Sequence, residues 1–315
     1  MVGLLDTPAR AGVLFLAFAI LTGCATPQVE ALLERPDPEL PQRVELAAVP
    51  FFPQELYQCG PAALATVLVH EGVKTSPEAL VGQVYLPQRE GSLQAEMLAG
   101  ARRHGLVAYP LAPQLVDVLR EVAAGTPVVV LQNLTFDFAP RWHYAVVVGY
   151  DLPREEIVLR SGTTFRLSMT LSNFERVWAR SRHWAMVALP PQRLPVTAAA
   201  DSYVAAAVAL ERLDAAAARQ AYAAALARWP DHLVAEIGLG NAAYAMRDLA
   251  AAEAAYRRAT HDHPQAPDAW NNLAQVLLEL HRADEALVAA ERAVALGGPR
   301  LASYRATLKA ITESR

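Results

Sequence analysis

Residues 53–64 read Pro53-Gln54-Glu55-Leu56-Tyr57-Gln58-Cys59-Gly60-Pro61-Ala62-Ala63-Leu64. From Cys59 onward the apolar residues recur with helical spacing. Ala63 stacks on Val67 and Leu64 on Leu68, until Gly72 offers a C-terminal cap. Pro61 falls in the first turn, where its missing N–H costs nothing. Cys59 therefore opens a helix, and there the unpaired N–H groups and the helix dipole favour a thiolate. A free cysteine is commonly no more than a small buried apolar residue. What separates Cys59 from that reading is a second stretch downstream, Trp142-His143-Tyr144-Ala145-Val146-Val147-Val148-Gly149-Tyr150-Asp151. It is too short and too β-branched for a helix, so it predicts a strand led by His143. Thr126–Asn133 and Ile157–Gly162 read as neighbouring strands, with a hairpin turn over residues 153–156.

The Cys59-Gly60-Pro61-Ala62 turn, the glutamine ahead of it and the strand-leading His143 together resemble the papain-like cysteine peptidases of the C39 type. That group includes bacteriocin-leader peptidases and stand-alone relatives. The resemblance covers roughly residues 45–190. It implies Cys59 as nucleophile, His143 as acid/base, and Gln54 as an oxyanion donor beside the backbone N–H of Cys59. Gln54 lies five residues ahead of the cysteine where relatives often have six, so Gln58 competes for the role. The family's third member is usually Asp, in an Asp-Pro pair at the end of the strand after the histidine strand. Here Arg160-Ser161 stands there instead. Ser161 can accept the imidazole N–H but brings no charge to an imidazolium. Asp151, at the end of the histidine strand, is a weaker substitute because it points away. A Cys–His pair can still function without the carboxylate, since a thiol ionises far more easily than a serine hydroxyl.

Working outward, the N-terminus carries Arg10, an apolar run from Ala11 to Leu21, and then Thr22-Gly23-Cys24. Eleven apolar residues are too few to span a bilayer but suit a signal-peptide core. Leu21-Thr22-Gly23-Cys24 resembles the bacterial lipobox, which implies a signal peptide over 1–23 and acylation of Cys24. Ala25 in the next position implies an outer membrane, with the protein facing the periplasm. Five prolines between Pro27 and Pro50 predict an extended, lipidated tether over 24–44, with a short helical turn near residues 29–33.

After the prolines of a linker at 191–198 the chain turns alanine-rich and repeats every 34 residues. Pro230 aligns with Pro264, Tyr222 with Tyr256, Ala218 with Ala252 and Ala286, and Ala225 with Ala259 and Ala293. This pattern resembles the tetratricopeptide repeat. It implies three helix pairs and a capping helix over 199–315, with a groove for a protein partner. The expected fold is thus an α+β papain-like peptidase domain followed by an all-α tetratricopeptide-repeat solenoid.

The 315 residues carry 28 Lys+Arg against 32 Asp+Glu, with no basic run, which argues against a nucleic-acid partner. Two cysteines make neither a disulfide framework nor a four-cysteine zinc site. His261-Asp262-His263 offers at most two ligands at a helix end, and His70, His104 and His183 are isolated. No metal, nucleotide or redox cofactor leaves a signature. Expected partners are a peptide or protein substrate, a protein in the repeat groove, and a membrane through Cys24. Two other readings stay open: a catalytically degenerate envelope adaptor, and a cell-wall peptidase.

Overall fold

A computed structural model describes residues 26–53 and 58–314. The chain divides into two compact units, residues 1–70 with 110–186, and residues 71–109 with 187–315.

The first unit is organised around an antiparallel sheet. β3 (Val128–Asn133), β4 (Trp142–Asp151), β5 (Glu156–Ser161) and β6 (Thr164–Thr170) follow one another as a meander, and the start of β7 (Ala185–Leu189) pairs with β3. A short β1 (Arg43–Glu45) pairs with the far half of β4. A Cβ at Gly149 would sit 2.6 Å from the Val44 carbonyl oxygen, so the Val-Val-Val-Gly-Tyr run needs its glycine where β1 crosses. Helix α2 (Cys59–His70) packs on β4 and is buried on every side over Gly60–Leu68, as befits a helix with no polar face. Helix α5 (Leu115–Ala123) also packs on β4, and α6 (Leu171–Ala179) on β3. Gly125 follows α5 with φ +88°, the left-handed stop that only glycine adopts without strain.

The tether expected over 24–44 is corrected by the structure. Residues 27–45 are folded into the first unit. Pro27 starts helix α1 (Pro27–Glu34), Val29 and Leu32 are buried, and the carboxylate of Glu175 in α6 accepts the N–H groups of Gln28 and Val29 at 3.0 and 2.8 Å. A buried acidic side chain at a helix N-terminus satisfies two unpaired donors and the dipole together. The partner lies far along the chain, so local composition points to the prolines and hides the dock. The strand β6 and the helix α6 are likewise elements that local sequence patterns do not announce.

In the second unit, Ser76 caps α3 (Pro77–Val84) by accepting the Ala79 N–H. The next helix, α4 (Gln94–Arg103), takes Leu93 as its N-cap. β2 (Val107–Pro110) pairs with β7. Residues 71–109 group with the C-terminal helices, where the sequence had placed them in a domain over 45–190. Tyr109 explains part of that grouping. Its hydroxyl accepts the Ala199 N–H at 3.1 Å, and its ring meets Tyr203.

The alanine-rich tail forms three antiparallel helix pairs: α7 (Ala200–Val208) with α8 (Ala215–Arg228), α9 (Leu233–Ala245) with α10 (Leu249–Asp262), and α11 (Pro267–Glu279) with α12 (Ala283–Leu296). Helix α13 (Leu301–Glu313) closes the stack. The repeat columns explain themselves in contact. Tyr222 lies over Gly238 and Tyr256 over Gly240, so closely that a Cβ at either glycine would sit 2.3 or 2.4 Å from ring atoms. The alanine columns 218/252/286 and 225/259/293 are fully buried, which lets paired helices approach. Among the described residues, no helix is long and apolar enough to cross a membrane.

Candidate active site

The site lies at one end of the first unit's sheet, where β3 and β5 end and β4 and β6 begin. Cys59 is the first residue of α2 and a free, partly exposed thiol. Gln58 precedes it as the N-cap, its carbonyl accepting the Ala62 N–H at 3.1 Å. The backbone N–H groups of Tyr144, Gly60 and Cys59 itself converge on the sulfur. They pull the thiol pKa down, but burial outweighs them and the net shift is upward. The thiolate that a helix N-terminus favours is therefore not the resting form here. The donors can be counted from the sequence; the desolvation cannot.

The Tyr144 contact sets the sulfur against the start of β4, where Tyr144 follows His143 in the chain. Val146 pairs with Arg160, which puts Ser161 level with Ala145 and His143 one same-face step further along. The imidazole bridges that diagonal, with His143 Nε2 2.8 Å from Ser161 Oγ. Burial, and secondarily the Arg141 charge, lowers the His143 pKa to about 4. Among the described residues, no carboxylate contributes to that shift. The imidazole is thus neutral at neutral pH, which is the form a general base requires. With Nε2 facing Ser161, Nδ1 is the ring nitrogen that takes no part in that bond.

Asp151 does not reach this end of the sheet. It closes the other end of β4, ion-paired with Arg43 at 2.7 Å and accepting the Arg154 N–H. Gln54 and Cys24 lie outside the described residues. His261 is exposed, and among the described residues no group of three or more His, Cys, Asp or Glu is arranged to hold a metal.

Two neighbours of the site are not evident from the sequence motifs. Gln132 of β3 stands directly across from His143, so both side chains share one face; it is buried, and its amide nitrogen has no hydrogen-bond partner. Arg160, which precedes Ser161 in the pair standing where the resemblance implies Asp-Pro, is buried as well. Its guanidinium donates to the Val49 and Phe165 carbonyls at 3.3 and 2.8 Å and lies 3.9 Å over the Phe165 ring. It thereby ties the segment that leads towards Cys59 to the sheet. A lone arginine after the apolar run Ile157-Val158-Leu159 was the available signal for that role.

Residues 46–186 match the family described as Peptidase_C39 like, and residues 237–305 match the tetratricopeptide repeat. The chain is thus similar to the C39-like family over its mixed α/β part and to the tetratricopeptide repeat over its run of helices, in the order expected of it. No curated protein matches the chain. Among solved structures, a candidate C39-like peptidase from Bacillus anthracis is 19% identical, with 47% of this chain and 98% of that one covered and a TM-score of 0.40.

Proposed function

We propose that the protein is a lipid-anchored cysteine peptidase that cleaves peptide or protein substrates through a thioester. The observation that carries the proposal is the His143–Ser161 hydrogen bond of 2.8 Å, together with a Cys59 thiol held against the N–H of Tyr144, the residue after His143. Nδ1 of His143 takes the Cys59 proton as the sulfur attacks the scissile carbonyl carbon. The oxyanion forms among donors that include the Cys59 N–H and, by the C39-type resemblance, Gln54. The carbon–nitrogen bond then breaks, and the leaving amine carries away the proton from His143. Water, deprotonated by the same imidazole, attacks the thioester; the carboxylic product leaves, and the proton returns to sulfur.

Acylation of Cys24 would anchor the chain to a bilayer, with the outer membrane facing the periplasm as the proposed location. Only Ala25 separates Cys24 from the buried Thr26, a reach of about 7 Å. An anchored first unit would sit close against its membrane. The repeats would take a protein partner in a polar groove lined by Asn241, Tyr256, Asn272 and Gln275.

The test is release of fluorescent peptides from labelled, unfolded casein by the full-length protein. Wild type should cleave it, and the Cys59→Ala and His143→Ala variants should not; equal release from all three would remove the peptidase reading. Incorporation of labelled palmitate that survives Cys24→Ala would remove the anchor. One observation favours a second reading, a catalytically degenerate adaptor: among the described residues, no carboxylate is bonded to His143. That reading predicts a cellular phenotype on deleting residues 199–315 and none for Cys59→Ala.

A further inference from the structure

Between Asn133 and His143 the β3–β4 loop presents large apolar side chains to solvent. Phe138 is 87% exposed, Phe136 63% and Trp142 50%. Phe136 and Phe138 stack on one another, ring centroids 5.4 Å apart and nearly parallel. The rings do not hold the loop together. Polar groups do that: buried Asn133 accepts the Arg141 and Thr135 N–H groups at 2.9 and 3.2 Å, and the Arg180 guanidinium donates to the Asn133 and Thr135 carbonyls. The loop is therefore pre-shaped, and its aromatic surface contributes little to its own fold.

The position of that surface is informative. Trp142 adjoins His143 in sequence and pairs with Asn133 across the ladder. On the other flank, just past Ser161, Phe165 of β6 is 52% exposed and meets Phe51 edge-on. Exposed apolar rings thus line the strand ends that carry His143 and Ser161. A surface made for a lipid bilayer would need one protruding patch. Rings strung along successive strand ends suit an extended chain running across them.

We infer that the β3–β4 loop is a substrate-binding rim that takes the apolar side chains of an extended peptide beside the scissile bond. The inference rests on the peptidase reading and narrows its substrates to segments with aromatic or aliphatic residues near the cleaved bond, such as unfolded chains expose. Rigid aromatic anchors of this kind dominate binding where they are desolvated.

Binding to full-length Cys59→Ala protein tests this without turnover. The probes are two fluorescein-labelled Gly/Ser decapeptides, one with a central Phe-Leu pair and one with Ser-Ser, followed by fluorescence anisotropy. The Phe-Leu peptide should bind at least about 10-fold more tightly, and Phe136→Ser with Phe138→Ser should shrink that preference to about 2-fold. A thermal melt checks that the double variant folds, and Phe138→Ala, at the most exposed position, serves if it does not. Equal affinity for the two peptides, or a preference that survives the substitutions, would overturn the inference. So would phosphatidylglycerol vesicles that bind more tightly than the Phe-Leu peptide and depend on the same rings. Failure of wild type to cleave casein would count against the peptidase reading alone, because this measurement never uses the thiol.

Discussion

His143 and Ser161 meet across a diagonal of the sheet, Nε2 2.8 Å from Oγ, at the place where the C39-type resemblance implies a carboxylate. The hydroxyl fixes the ring without stabilising its charge. Ser161→Ala should therefore lower kcat/KM by about 10-fold through lost orientation. Ser161→Asp should raise the His143 pKa from about 4 towards neutrality and move the acidic limb of the kcat/KM profile upward with it. A limb that stays near pH 4 in the Asp variant would show that the ring does not titrate in catalysis.

Burial raises the Cys59 pKa and lowers that of His143, so the resting pair is neutral thiol and neutral imidazole. Alkylation of Cys59 by iodoacetamide should consequently be slow at pH 6 and rise steadily through pH 9. A fast, flat rate between pH 5 and 8 would mark a preformed ion pair and contradict the neutral assignment.

Helix α1 is held by the Glu175 carboxylate, which accepts two of its N–H groups from a buried position. Glu175→Ala should destabilise the first unit by about 2 kcal/mol, leaving a buried and a partly buried donor unpaired. Hydrogen exchange should speed up selectively over residues 27–34. Exchange that is unchanged there would mean the helix is held by Val29 and Leu32 alone.

Glu236 in α9 is fully buried, with Arg258 Nε at 3.5 Å and His263 Nε2 at 3.8 Å. Burial first, then the Asp262 carboxylate, raises its pKa to about 7, against the pull of Arg258. A carboxyl with a raised folded-state pKa contributes stability below its unfolded value of 4.5 and loses it as pH rises through about 7. Glu236→Gln should therefore gain at pH 8, by at most about 3 kcal/mol, and change little at pH 4. Urea unfolding at the two pH values reads the difference. A variant less stable at pH 8 would show that the Arg258 pairing outweighs the desolvation.

Much of the site was legible because its signals are local. Helical spacing after Cys59, the β-branched run after His143 and the glycine at 72 each act within a few residues, and the 34-residue period names its own partners. What the sequence concealed depends on distant groups. The docking of α1 needs Glu175, and the bracing role of Arg160 needs the carbonyl of Val49. The neutral thiol depends on how much of the fold closes over Cys59, which a helix N-terminus alone does not reveal. Ser161 was legible as a hydrogen-bond partner for His143, since one strand alignment sufficed to place it.

The central claim is that Cys59 reacts because His143 takes its proton. Intact-mass spectrometry after treatment with an epoxysuccinyl peptide tests it directly. The account predicts a single adduct on Cys59 in the wild-type protein and, in His143→Ala, labelling slower by about 100-fold. Equal labelling of the two proteins, or a wild type that takes up no reagent, would contradict it.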